Sequence, residues 1–445
     1  MSAHDRRRAR IAALVALASA AAVVATLVEL VLKNLLATLL ALALLVVAGT
    51  AAWIGLTHRG TARTLGLAAA SLALVGETVA LISFGLVGEL VVIVAASALF
   101  AFAGGDVLRR VRRPDPEPPP RRRTRPVLGR KVLIMNPKSG GGKVESFRLV
   151  DEARRRRIEP ILLGPGDDLR AVARHAARTA DVIGMAGGDG SQALVAQVAM
   201  NLGVAFVCVP AGTRNHLALD LGLDRDDVVA ALDAFDDGDE RLIDLAFVNG
   251  RVFVNNVSLG IYAQIVQSEA YRNAKLETME TMLPELLGPQ AEPFDLNFRD
   301  GEGRRRDSAQ LILVSNNPYV LDRLAGMGSR PRLDTGLLGI VAAEISGSVK
   351  AATFVALEAL GQLRRFEGWR EWSAAEFQVT SRSPVAAGID GEATVLDPPL
   401  RFSIEPRALT VRIPPSAVGL SPAAARPTLG RDSIRELWRI TASRG

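Results

Sequence analysis

Four apolar segments, each of about twenty residues, dominate the start of this 445-residue chain: residues 11–32, 35–56, 65–84 and 90–108. About twenty apolar residues in a helix span the hydrocarbon of a bilayer, so the pattern predicts a four-helix transmembrane domain over residues 1–108. A cleaved signal peptide would give one short apolar segment, not four in series. Flanking charge sets the direction. Arg6, Arg7, Arg8 and Arg10 precede the first segment, and Lys33 is the one base in the first loop. His58, Arg59 and Arg63 sit in the second loop, the third has no base, and Arg109, Arg110, Arg112 and Arg113 follow the fourth. This alternation predicts a multi-pass protein of the inner (cytoplasmic) membrane with both termini and the remaining chain in the cytoplasm.

Composition agrees with a membrane portion: 49% of the residues are hydrophobic and the mean hydropathy is +0.21. The net charge of +6 and pI of about 9.9 leave nucleic acid, phosphates and anionic lipid as partners. The densest basic stretch, "RRVRRPDPEPPPRRRTRP", holds eight arginines and six prolines and lies within residues 109–129. Its prolines disfavour helix and strand, so it reads as a semi-rigid tether. Just beyond a cytoplasmic membrane face such a run lies on anionic lipid. No aromatic residues interleave the arginines to stack on bases, so nucleic acid is not the expected partner. The single cysteine, Cys208, sits in an apolar run and reads as a small core residue. The four histidines are scattered, no Cys/His cluster has zinc spacing, and no residue is assigned as a metal ligand.

From Lys131 the texture changes. Short apolar runs at 131–135, 160–163, 182–186 and 204–209 alternate with helical patterns, which predicts a parallel sheet covered on both faces over residues 130–245. Asp167 and Asp168 stand where they can cap the helix that follows. After Leu245 the pattern becomes apolar alternation with turns, including Asn249-Gly250, a strong hairpin signal. Residues 246–413 therefore read as a second, mostly antiparallel domain. The remaining 414–445 form a C-terminal segment that could pack back on the first of these domains.

Three glycine-rich loops fall at strand ends in the α/β domain: "NPKSGGGK" from Asn136, "GGDGS" from Gly187 and "PAGTRNHLALDLG" from Pro210. Glycine lets backbone N–H groups approach a ligand closely, and the helix N-termini that follow favour an anion. Ligands on such sheets sit beyond the carboxyl ends of the strands, so all three loops share one edge. The implied ligand is a polyphosphate, with Lys138 and Lys143 adding positive charge. The P-loop pattern fails because Val144 follows Lys143, and no dinucleotide-binding G-x-G-x-x-G is present.

Together with "GIDGE" at Gly388 to Glu392, these loops resemble, in order, the motifs of the diacylglycerol kinase catalytic domain. That family includes bacterial lipid kinases and sphingosine kinases and is related to NAD kinases and 6-phosphofructokinases. The resemblance runs from about Arg130 to Ile413 and excludes the apolar segments. It implies a two-domain lipid-kinase fold, an α/β nucleotide domain followed by a β-sandwich, with ATP and Mg²⁺ as cofactors. Carried over residue by residue, Asn136, Pro137, Lys138, Ser139 and Gly140 would line the nucleotide site. Gly187, Gly188, Asp189, Gly190 and Ser191 would surround the phosphates, and Thr213 and Asn215 would contact the nucleotide. Asp189, Asp390 and Glu392 would be catalytic, with Glu392 taking the proton of the substrate hydroxyl.

This chain departs from the family pattern at three places. His216 replaces a carboxylate after Asn215, Asp334-Thr335-Gly336-Leu337 keeps one of two acids associated with a structural magnesium, and Gly164 replaces a threonine. The reading that results is an ATP-dependent kinase for a diacylglycerol-like or other long-chain lipid alcohol at the cytoplasmic membrane face. A non-catalytic nucleotide sensor and a kinase for a soluble acceptor are the alternatives. The particular lipid and the oligomeric state stay open, a homodimer being one option.

Overall fold

The computed structural model describes residues 3–33, 35–57, 61–85, 87–111, 122–123, 127, 129–261, 263, 294–321, 329–345, 347–359, 362–417, 419 and 421–425. They fall into two compact units, one holding the N-terminal helices and one holding everything described from Arg122 onward. The sequence expectations for residues 426–445 and most of the tether lie outside the described residues.

The N-terminal unit is four helices: α1 (Ala3–Lys33), α2 (Leu35–Thr57), α3 (Thr61–Ser83) and α4 (Val87–Val111). Helix α1 packs on α4 and α2 on α3. Its buried side chains are small: Ala13, Ala16, Ser19, Ala37, Ala48, Ala51, Ala70, Ala73, Ala80 and Ala103. Its large apolar side chains, including Val24, Val46, Leu72 and Val94, face outward. A bundle in water does the reverse, placing large apolar groups at the helix contacts. Helices in lipid also associate through small residues. Among the described residues one run, Ile11–Leu30, is both long and apolar enough to cross a membrane. The apolar stretches in the other helices are shorter, Ala43–Ala52, Thr64–Ala80 and Val87–Leu99.

In the second unit the strands are β1 (Arg122–Arg123), β2 (Lys131–Met135), β3 (Glu159–Leu162), β4 (Val182–Gly187), β5 (Ala205–Pro210), β6 (Asp239–Val248), β7 (Arg251–Phe253), β8 (Asn256–Gly260), β9 (Asn297–Arg299), β10 (Arg305–Arg306), β11 (Leu311–Asn316), β12 (Leu338–Ala343), β13 (Trp369–Ala374), β14 (Glu376–Thr380), β15 (Val385–Ile389), β16 (Glu392–Leu396) and β17 (Leu400–Ile413). Between the early strands run α5 (Lys143–Ser146), α6 (Leu149–Arg155), α7 (Leu169–Ala177), α8 (Asp189–Leu202) and α9 (His216–Asp220). The carboxylate of Asp168 caps α7 by accepting from Arg170 N at 2.9 Å.

One sheet has the order β10-β9-β14-β17-β5-β4-β2-β3, with β6 beside β17. Its β3-β2-β4-β5-β17 part is parallel, and its apolar strands are buried under helices on both faces, as near-continuous apolar runs require. The other sheet, β13-β12-β11-β8-β15-β16, is antiparallel throughout. It packs on the antiparallel part of the first through Val257, Leu259, Ile312 and Val314 against Phe253, Phe298, Phe377 and Phe402. The second unit is thus an α/β sheet region joined to a β-sandwich.

Two strands, β6 and β17, run through both regions. Sequence alternation suggests separate strands on either side of Pro406, but β17 is continuous. Its register shifts between Glu405 and Leu409, where Arg407 takes φ +50° and donates its N–H to Asp244 Oδ1 at 2.7 Å. That bulge lets one strand absorb the extra residues without ending. Asn249-Gly250 forms the expected tight turn, both with positive φ, between β6 and β7. The chain then leaves that sheet, and β8 pairs in the other.

Candidate active site

The parallel register sets three chain ends side by side: Met135 faces Ala186 and Gly187 faces Pro210. Asn136 N donates to Ala186 O at 3.0 Å, extending the pairing into the first loop. Loop contacts then close up through glycine. Gly140, at φ +57°, lies against the carbonyl of Ala211, and Gly212 lies against the backbone of Gly188. A Cβ at Gly212 would meet Gly188 N at 3.0 Å and Asn215 Oδ1 at 2.7 Å, so a side chain there would push the loops apart. Side chains serve the same packing. Asn136 Oδ1 accepts from Lys138 N at 3.1 Å. Asn215, buried and at φ +51°, accepts from Gly212 N and donates to Pro210 O and Gly212 O, so its amide braces the loop from inside. Thr213 and Lys138 are exposed, while Pro137 and Ser139 are half-buried.

Helix α8 starts at Asp189, behind Gly188. Its first intrahelical amide is Gln192 N, bonded to Gly188 O at 2.9 Å, which leaves the amides of Gly190 and Ser191 directed outward at a helix N-terminus. Asp189 itself is buried. Its carboxylate accepts from His216 N at 3.0 Å and Leu217 N at 3.1 Å, tying the start of α9 to the start of α8.

The "GIDGE" residues form the β15–β16 turn, with Ile389 facing Glu392 and positive φ at Asp390 and Gly391. Asp390 Oδ1 and Oδ2 accept from Val254 N (3.0 Å), Asn255 N (2.8 Å) and Asn256 N (3.2 Å). Burial, and the nearby charge of Asp189, push its carboxyl up to about 7 against those donors. Asp390 therefore anchors the turn. Glu392, two residues on, is exposed and reaches the Gly187–Ser191 loop: its Oε1 lies 2.5 Å from where a Cβ on Gly190 would stand. The structure thus gathers Asn136–Gly140, Gly187–Ser191, Asp390 and Glu392 at one edge.

Sequence reasoning missed a buried cluster beneath this edge. Arg330, fully buried, pairs with Asp220 at 2.6 Å and also contacts Asn255 and Asn316. The asparagine pairs 255–256 and 316–317 at strand ends were the available signal, since such amides favour backbone bracing over strand packing. Nothing local marks Arg330 as the partner of a residue 110 positions away. His216, where the family pattern has a carboxylate, is held below its ordinary pKa by burial, and its Nδ1 has no hydrogen-bond partner.

The diacylglycerol kinase catalytic domain family matches residues 130–248, which contain all three loops. Over those residues the chain is similar to diacylglycerol kinase catalytic domains. It is 32% identical over 116 residues to the diacylglycerol kinase of Bacillus subtilis (strain 168), a stretch that spans 26% of this chain and 37% of that relative. Two crystal structures from Bacillus anthracis str. Sterne share the fold. One, described as a diacylglycerol kinase, has a TM-score of 0.50 at 21% identity, and the other a TM-score of 0.51 at 20%. Each match covers 65% of this chain and 99% of the solved chain.

Against the diacylglycerol kinase pattern, the site associated with a structural magnesium is filled by protein donors. Arg332 pairs with Asp334 at 2.9 Å, Thr335 Oγ1 donates to Asn317 Oδ1, and Asp244 accepts from Gly336 N and Arg407 N. Those residues do not fit a bound cation. Among the described residues no group of three or more His, Cys, Asp or Glu side chains is placed to hold a metal. At Gly164 the turn is closed by its own N–H to Asp167 Oδ2 at 2.7 Å, so no side chain is needed there.

Proposed function

We propose that this chain is a membrane-anchored, ATP-dependent lipid kinase acting on the hydroxyl of a diacylglycerol-like or other long-chain alcohol at the cytoplasmic face. The observation that carries this is the position of Glu392 against Gly190, which puts a carboxylate from the β-sandwich at the mouth of a phosphate-type loop. Outward amides at the start of α8 and the glycine-rich turn after β2 fit phosphate oxygens. ATP would supply the phosphoryl group, and a magnesium ion bound with its phosphates and waters would offset their charge. Glu392 would accept the hydroxyl proton as the acceptor oxygen bonds to phosphorus and ADP leaves.

A lipid acceptor is supported by two features. A cavity of about 430 Å³ lies on the face of the antiparallel sheet away from the sandwich core, lined by Leu313, Tyr319, Leu321, Val341 and Trp369 among others. Its wall connects to the site, because Tyr319 OH accepts from Asn256 Nδ2 at 3.4 Å and Asn256 N bonds Asp390. The N-terminal helices, with small contacts and a bulky apolar exterior, fit four membrane spans and a catalytic unit held at the surface. A panel of lipid alcohols and soluble acceptors incubated with labelled ATP tests the proposal. Label in lipid supports it, and label confined to a soluble acceptor refutes it.

A further inference from the structure

Helix α9 carries a buried charge at each end of its span. Its first amides sit on Asp189, and its last residue, Asp220, receives Arg330 Nε at 2.6 Å and Arg330 N at 3.0 Å. The rest of the Arg330 guanidinium points into the β-sandwich. Nη1 donates to Asn316 O at 2.8 Å and to Val254 O, and Nη2 donates to Asn255 Oδ1 at 3.0 Å. Val254 and Asn255 are two of the three residues whose amides hold Asp390. Asp390 opens the turn that ends at Glu392, and Glu392 returns to Gly190, next to Asp189. The contacts therefore close a ring: Asp189, α9, Asp220, Arg330, the 254–256 segment, Asp390, Glu392 and back to the phosphate loop.

A buried ion pair is seldom more stabilising than an apolar pair of similar volume, so stability alone is a weak reason for one here. What an arginine adds is a planar fork with several donors in fixed directions, which lysine cannot reproduce. Here the fork spans two regions of the unit, and each acceptor beyond Asp220 belongs to the sandwich. We infer that Arg330, paired with Asp220, is a positioning residue that sets Glu392 against the phosphate loop. This rests on the lipid-kinase reading above. Arg330 touches no reacting atom; it acts through the 254–256 segment and the Asp390 turn.

The test uses the full-length chain and two variants. Arg330→Lys keeps the charge opposite Asp220 but loses the fork. Arg330→Met combined with Asp220→Leu replaces the ion pair by apolar groups and separates stability from positioning. Turnover on dispersed diacylglycerol, KM for ATP and the unfolding midpoint are measured for each. Expected is a fall in kcat of about 10²-fold in both, the loss typical of a small misplacement of a catalytic group. KM for ATP should stay within about twofold in Arg330→Lys, because residue 330 lies outside the three loops. The double variant should unfold close to wild type while remaining slow. A folded variant with near wild-type kcat overturns the inference, and so does loss of folding in both variants, since the cluster would then serve stability alone. Failure of the kinase reading is seen separately, as wild-type protein that phosphorylates no lipid.

Discussion

Glu392 and Gly190 belong to different regions of the second unit yet are in contact, so that no side chain larger than hydrogen fits at 190 without moving the glutamate. The displaced group would be the tip of a flexible, exposed side chain, so the fold tolerates the change. Gly190→Ala should therefore leave the unfolding midpoint nearly unchanged and lower turnover by roughly 10-fold or more, the scale of a misplaced base. Normal turnover in this variant would mean that Glu392 has no role at the loop.

Asp189 holds the start of α9, and two substitutions test whether it also acts in the chemistry. Asp189→Ala strips the acceptor from the amides of His216 and Leu217, at a cost of about 1–3 kcal/mol for a buried donor left unpaired. Asp189→Asn keeps one oxygen for those amides and should lose less stability. Both should lose nearly all transfer activity. Substantial activity in the asparagine variant would reduce Asp189 to a cap for α9.

The Asp390 carboxyl yields a pH prediction with a definite sign. Burial chiefly, then the charge of Asp189, raise it from 3.8 to about 7 against the three backbone donors. The folded state thus binds this proton more tightly than the unfolded chain does. Its contribution to stability is complete below the unfolded value and is lost as pH rises through the folded one. Comparing wild type with Asp390→Asn from pH about 5 to about 8 should show wild type losing stability relative to the variant. Parallel curves would contradict this.

The membrane arrangement can be read by cysteine labelling, since Cys208 is the single native thiol. In a Cys208→Ser background, Arg59→Cys should react from the cytoplasmic side, and Lys33→Cys and Gly85→Cys from the opposite side. Labelling of all three from one side would contradict four spans.

Much of this molecule was legible in its sequence because its signals are local. Buried parallel strands are continuous apolar runs, so β2, β4 and β5 stand out, and glycine loops at their ends mark the edge where they gather. Asp168 and Asn249-Gly250 announce a cap and a turn through side-chain and φ preferences within a few residues. What sequence could not show is long-range. The division of labour between Asp390, committed to three amides, and Glu392, free at the loop, depends on where residues 254–256 pass. The continuity of β17 through Pro406 depends on Asp244 receiving the bulge. The Asp220–Arg330 pair joins positions whose neighbours give no hint of each other.

The most direct measurement of the central claim is turnover and nucleotide affinity of Glu392→Gln beside wild type, with diacylglycerol in vesicles and labelled ATP. The amide keeps the size of the carboxylate but cannot take the hydroxyl proton. Wild type should place label on the lipid, and the variant should lose about 10²–10⁴ in rate while binding ATP as wild type does. Wild-type protein that labels no lipid, or a Glu392→Gln variant that turns over at the wild-type rate, would contradict the account.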